Sequence, residues 1–423
     1  MSVASNNVLV RLGGGLPSGY WKLWLASAGS NLADGIFWVA LPLLAVTLTD
    51  SPALIAGVTI ASRLPWLLFS LVAGALADRL DRRRTMILVD VFRGGLLGAL
   101  ALAAFGGLAS LPLLYVVAFA LGVAETLFDT SAQSIMPNLV DADRLSRANG
   151  RLYAVELTMN QFVGPPLGGL LAAAGIALAF GTGAAAYLLA AAALLTIPGA
   201  FRPVREGPST RLDHEIAEGL RYLFGHRLLR VLAVMVGLSN LASTAVFSVF
   251  VLYAVAPGPL GLNGVGFGVL LTSLAVGSLV GTFLVEPLER RLGRANLLAV
   301  AMTINSSTLL VPVLTTSVPL IFVVWLVAAA IGIAWNVVTV SLRQRIVPDA
   351  LLGRVNATYR LLAWGTMPLG AALGGLVGEA FGVPAVFLLF GGLQFLLVLG
   401  RLVVTDEAIA AAETGGAAAP APG

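Results

Sequence analysis

Gly74-Ala-Leu-Ala-Asp78-Arg79-Leu-Asp81-Arg82-Arg83-Arg84 separates two apolar runs, 53–77 and 85–107. Four arginines beside two aspartates do not enter hydrocarbon cheaply, so this loop belongs in water, on the side of a membrane that collects positive charge. A worn copy, Gly281-Thr-Phe-Leu-Val-Glu286-Pro-Leu-Glu289-Arg290-Arg291-Leu-Gly293-Arg294, again lies between two apolar runs. A second echo keeps the same order: Gln133, Pro137, Leu145-Ser-Arg147-Ala-Asn149, Pro165 and Gly168-Gly169 return as Gln344, Pro348, Leu352-Gly-Arg354-Val-Asn356, Pro368 and Gly374-Gly375. The chain is therefore read as a duplication.

The totals agree with a membrane setting. Of 423 residues, 58% are apolar and 11% charged, against about 25% charged in soluble domains, and the mean hydropathy is +0.94. A span needs about 20 apolar residues. Twelve are read, at 21–48, 53–77, 85–107, 111–136, 149–173, 176–198, 228–256, 264–287, 294–315, 318–342, 355–379 and 383–403. The formal charge of +4 comes from arginines clustered in loops and not from a nucleic-acid face. Every odd-numbered loop lacks Lys and Arg, while the even ones hold nearly all of them, which puts the even loops and both termini in the cytoplasm. Met1 to Tyr20 shows no apolar h-region followed by a cleavage site, so insertion is expected to use the first span.

The expected organisation is an all-α membrane protein: a cytoplasmic N-terminal segment 1–20, a six-helix half 21–198, a linker 199–227, a second six-helix half 228–403, and a disordered cytoplasmic tail 404–423. In the linker, Leu212, Ile216, Leu220 and Leu223 recur at helical spacing among acids and Arg211, which predicts an amphipathic helix lying on the cytoplasmic membrane face. Six spans per repeat keep the halves parallel, related by an axis along the membrane normal, with cargo expected between them.

The loop Gly74 to Arg84 is similar to the signature between the second and third helices of the major facilitator superfamily, G-x-L-a-D-R-x-x-R-R. Val163-Gly164-Pro165-Pro166-Leu-Gly168-Gly169 resembles that superfamily's antiporter motif, built for close helix packing and a proline bend; packing glycine alone is its plainer reading. Ala33-Asp34-Gly35, Arg63-Leu-Pro65, Phe128-Asp129, Ser131-Ala132-Gln133, Met136-Pro137 and Arg147-Ala-Asn149 resemble the macrolide-efflux and siderophore-exporter branch of drug:proton antiporters. The fourth span departs from other drug:proton antiporters by carrying Glu125 and Asp129 where they hold a buried arginine. The resemblance implies the twelve-helix major facilitator fold, and a latch between halves formed by Gly74, Asp78, Arg79, Arg82 and Arg83.

Ionisable groups inside spans are the candidates for chemistry, because each is costly when it faces lipid. Asp34 near the middle of the first span is the leading proton-coupling residue, since a carboxyl buried in a low-dielectric cavity is one that a proton gradient can load and unload. Glu125 and Asp129, at i and i+4 on one face of the fourth span, are the rivals. Arg63 on the second span is the expected charge partner of Asp34. Asp90 and Arg93 read as a structural i, i+3 pair, and Glu156 as a partner for loop arginines. The second half has no acid at the middle of any span; its polar positions Asn240, Ser243, Trp335 and Asn336, with Trp38 of the first span, are assigned to a substrate cavity, helix-to-helix hydrogen bonding being the alternative.

No nucleotide-binding phosphate loop is present, and two histidines with no cysteine cannot build a metal cluster. The expectation is a non-enzymatic transporter without cofactor or metal. It is a monomer in the cell inner membrane whose partners are protons, the bilayer and an amphipathic small molecule, drug or siderophore-like metabolite, exported against proton entry by alternating access. Proton-linked uptake or a lipid-like cargo is the alternative within transport; a non-transporting membrane sensor is the alternative outside it.

Overall fold

The computed structural model describes residues 16–77, 79–141, 144–199, 201 and 212–416. Six membrane crossings come first: α1 (Ser18–Leu48), α2 (Pro52–Ala77), α3 (Arg82–Phe105), α4 (Leu111–Leu139), a fifth made of α5 (Leu145–Leu157), a π-helical segment (Thr158–Val163) and α6 (Gly164–Ala174), then α7 (Ile176–Leu195). After α8 (Leu212–Gly225) come α9 (Arg227–Ala254), α10 (Gly264–Leu292), α11 (Arg294–Leu314), α12 (Val318–Ile346), α13 (Asp349–Gly365) continuing into α14 (Met367–Phe381), α15 (Val383–Leu396) with a 3₁₀ extension, and α16 (Asp406–Gly416). Eleven of the described helices are long and apolar enough to cross a membrane; the interrupted fifth makes twelve, as the apolar runs predict.

The breaks follow local chemistry. Glycines at positive φ, Gly107, Gly293 and Gly382, turn the chain between crossings. The π segment stands just before Pro165 and Pro166, which have no N–H to return to the preceding turn, and the Gly164 N–H reaches back to Met159 O.

The chain separates into two compact units. The first holds 61–206 with everything up to Leu48 and the short piece Asn263–Val269; the second holds Thr49–Ile60, 207–262 and everything from Leu270. The start of α2 and the start of α10 are thus exchanged relative to the two sequence halves. Glycines make both exchanges possible. A Cβ on Gly169 would sit 2.2 Å from the Gly264 carbonyl, and one on Gly375 would sit 2.7 Å from the Ala56 Cβ. Each unit repeats the same helix pairings: α1 with α6 and α7 and α3 with α4 and α7 in the first, α9 with α14 and α15 and α11 with α12 and α15 in the second.

Two expectations are corrected. The amphipathic α8 lies on protein: the Leu223 side chain is fully buried, Glu218 pairs with Arg354, the Tyr222 hydroxyl donates to Ile346 O at 3.2 Å, and Gly219 admits the α13 backbone. The tail is not disordered from residue 404, because Asp406–Gly416 is a helix. Its Asp406 accepts from Ala295 N at 3.0 Å, and its Glu413 pairs with Arg294 at 2.6 Å and Arg345 at 3.3 Å. The N-cap of α11 is Gly293, which has no side chain to cap with, so the tail supplies the carboxylate. Residues from 417 onward lie outside the described residues.

Candidate functional site

In the first unit, α1, α3, α4 and α7 bring a charged cluster together inside otherwise apolar surroundings. Asp34 Oδ1 accepts a 2.5 Å hydrogen bond from the Tyr187 hydroxyl of α7 and lies 3.3 Å from Nη2 of Arg93 on α3. Arg93 is 1% exposed and reaches Asp90 Oδ1 at 3.9 Å, while Ser30 Oγ donates to Asp90 Oδ2 at 2.9 Å. The Arg93 guanidinium rests between two rings, 4.8 Å from the centroid of Tyr187 and 5.6 Å from that of Phe128. Phe128 belongs to α4, whose Glu125 and Asp129 lie within electrostatic reach of Asp34 and Arg93. Glu125 Oε2 is also 3.5 Å from Trp66 Nε1. Asp34, Asp90, Glu125 and Asp129 therefore surround a single arginine, and that arginine still has Nε and Nη1 without hydrogen-bond partners. With four carboxyl groups and one guanidinium, the cluster has room for protons.

Several readings from sequence change here. Arg63 is exposed and forms no ion pair with a described carboxylate; Asp34 is paired by Arg93 instead. Asp90 and Arg93 are not a separate strut, since Arg93 bridges from Asp90 to Asp34. Glu156 accepts from Ser27 at 3.4 Å. Tyr187 carries one sequence signal, being the single tyrosine of an alanine- and leucine-rich span.

The antiporter-like motif stands beside this cluster. Gly164 packs on Gly35, the residue after Asp34: a Cβ on Gly164 would lie 2.6 Å from Gly35 Cα, and one on Gly168 would lie 2.8 Å from Ile36 O. Pro165 packs in turn against Gly268. In the second unit glycines again admit a neighbouring backbone, Gly370 against Leu241 and Gly374 against Ala245. Asn240 of α9 and Gln394 of α15 lie on the two helices that pair in the second unit as α1 and α7 pair in the first. Asn240 donates to Ala363 O at 2.8 Å and Gln394 to Ser239 Oγ at 2.9 Å. These helices thus meet through neutral polar groups, whereas α1 and α7 meet through Asp34 and Tyr187.

Of the residues assigned to a substrate cavity, Asn240 is committed to a helix-to-helix hydrogen bond, Ser243 is half-buried, Trp335 is buried, and Trp38 and Asn336 are exposed. In the charged loop, Asp78 lies outside the described residues, Gly74 has a helical backbone and Arg79 is exposed. Arg82 reaches Asn138 at 2.9 Å. Arg83 closes the end of α7 by donating to Leu194 O, Leu195 O and Gly199 O at 2.9, 2.7 and 3.2 Å. Asp81 caps α3 and also accepts from Phe201 N at 2.8 Å.

Comparison with known proteins places this arrangement. The family model described as "Transmembrane secretion effector" matches residues 18–418. The multidrug efflux pump Tap of Mycobacterium tuberculosis is 30% identical over 384 residues, 86% of this chain and 87% of that protein. The enterobactin exporter EntS of Salmonella typhimurium is 28% identical over 348 residues, covering 78% and 80%. Among solved structures, the nucleoside transporter NupG superposes with a TM-score of 0.70 at 14% identity over 92% of this chain and 99% of its own. A D-xylose-proton symporter gives 0.66 at 16% over 92% and 98%; at such identities these two speak to the fold alone.

Proposed function

The chain belongs to the transmembrane secretion effector family of major facilitator transporters, and from that premise we propose that it exports amphipathic small molecules in exchange for protons. The observation that carries the coupling is Asp34, held between the Tyr187 hydroxyl and Arg93 in a cluster with more carboxyl groups than cations. Ionised, Asp34 attracts the guanidinium and accepts from the tyrosine. A proton on the carboxyl removes the charge that holds Arg93 and leaves Arg93 to Asp90. Because Gly35 and Gly164 touch backbone to backbone, a shift of α1 at Asp34 is transmitted to α6 without a side chain to absorb it. Alternating access of the two halves would then follow the protonation state, cargo leaving as a proton enters, with both termini on the cytoplasmic side.

The export direction is supported by the likeness to Tap, a multidrug efflux pump, and EntS, an enterobactin exporter. Neutral polar groups on the corresponding helices of the second unit, Asn240 and Gln394, suit cargo or packing and leave proton handling to the first.

Transport into vesicles under an imposed pH gradient tests the reading, with the parent chain compared to Asp34→Asn and Glu125→Gln. Asp34→Asn is expected to lose uphill transport while retaining downhill exchange of the same cargo. Uphill transport that survives Asp34→Asn and disappears only with Glu125→Gln would move the proton to α4.

A further inference from the structure

Two arginines are buried among the described residues, and their surroundings are opposite. Arg93 has Asp34 and Asp90. Arg343, near the cytoplasmic end of α12 and 7% exposed, forms no ion pair with any described carboxylate. Its Nε donates to Asn356 Oδ1 at 3.1 Å, its guanidinium stacks 3.8 Å from the Tyr359 ring centroid, and its Nη1 is buried with no hydrogen-bond partner. The Tyr359 hydroxyl stands within interaction range of Trp335, Thr339 and Arg343, but neither it nor Trp335 Nε1 makes a hydrogen bond of good geometry. Trp335, Thr339 and Arg343 are one turn apart along a single face of α12, and Tyr359 faces them from α13. Thr339 Oγ1 is spent on Trp335 O.

A buried cation with no carboxylate partner, beside two donors held only loosely by one another, costs stability unless something negative joins it in another state of the protein. We propose that Arg343, Tyr359 and Trp335 form a subsite for an acidic oxygen group, a carboxylate or phosphate, carried by a molecule that enters the second unit from the cytoplasmic side. The set is composed of donors, its charge is positive, and the planar guanidinium matches the two oxygens of a carboxylate. The aromatic faces of Trp335 and Tyr359 would cover the adjoining apolar part. From the export reading the proposal takes only that an amphipathic cargo enters the fold. A lipid phosphate offers the same chemistry.

Equilibrium binding to the purified full-length protein in neutral detergent, with pyrenebutyrate and its methyl ester as matched probes, tests the proposal without any proton gradient. The parent is expected to prefer the carboxylate about tenfold or more, the scale of a charge-assisted hydrogen bond. Arg343→Gln should abolish the preference, so that acid and ester bind alike, while Arg343→Lys keeps part of it and Tyr359→Phe narrows it. Equal binding of the two probes to the parent, or an unchanged preference in a folded Arg343→Gln, overturns the subsite. Should Arg343→Gln not fold, Arg343→Lys and Tyr359→Phe decide, and an undiminished preference in both overturns it. Bilayer discs of phosphatidylcholine with and without phosphatidylglycerol separate the sources. Equal pyrenebutyrate binding in both assigns the subsite to cargo; competition by phosphatidylglycerol that Arg343→Gln removes assigns it to a lipid headgroup. Failure of proton-coupled export would appear in vesicle transport with this preference intact.

Discussion

Arg93 Nη2 stands 3.3 Å from Asp34 Oδ1, joining α3 to α1 through a guanidinium that is 1% exposed. A charge so deeply desolvated is tolerated because carboxylates surround it, and removing it strands them. Arg93→Gln is expected to destabilise the protein by about 3–5 kcal/mol, the cost of breaking one side of a buried pair. Adding Asp34→Asn to it should recover part of the loss. Thermal melting of the detergent-purified variants measures both, and a strictly additive double variant would contradict the pairing.

Tyr187→Phe keeps the ring that stacks on Arg93 and removes the hydroxyl that holds Asp34. A hydrogen bond to a charged group contributes about 1.5–3 kcal/mol, so pH-driven transport should fall about tenfold with little change in expression. Initial rates in vesicles at matched protein content check this, and rates equal to the parent's would remove Tyr187 from the site.

The Gly35 and Gly164 contact leaves no space for a methyl group on either side. Gly35→Ala and Gly164→Ala should each cost about 1–3 kcal/mol, the scale of overpacking. Gly181, on α7 with nothing near its missing Cβ, is the control: Gly181→Ala should be neutral or stabilising by up to about 1 kcal/mol. Melting temperatures falling for the first two and holding for the third are the expected pattern.

Asp406 caps α11 from the tail. Asp406→Ala should cost about 1 kcal/mol, the usual effect of losing an N-cap side chain, while Asp406→Asn retains an acceptor and most of the stability. Melting of the two variants side by side distinguishes a cap from a passive tail.

His226 introduces α9 and accepts from Leu229 N at 3.4 Å through Nδ1, which requires the neutral ring. Burial holds its pKa below the ordinary histidine value. This contribution is complete above the unfolded pKa of about 6.5 and is lost as pH falls through the lower folded value. His226→Asn, which caps without titrating, should flatten stability across that acidic window; a slope identical to the parent's would assign it to other groups.

Membrane residence, twelve crossings and the duplication could be read along the chain, because hydropathy and residue order depend on which residues are present and not on their neighbours in space. Asp34 and the glycines at 164 and 168 were legible for the same reason: a lone acid in an apolar run and a cluster of small residues are local signals. Which cation serves Asp34 was not. Arg63 and Arg93 are both arginines in neighbouring spans, and only the rotation of each helix about its axis, about 100° per residue, turns one outward and the other into the cluster. Packing likewise decided that Tyr187 reaches Asp34, that Asn240 is spent on Ala363 O, and that α8 and α16 are tied to the protein by Tyr222 and Asp406. Each of these depends on where two distant segments meet, and a one-residue change of helix phase would undo it without altering any apolar run.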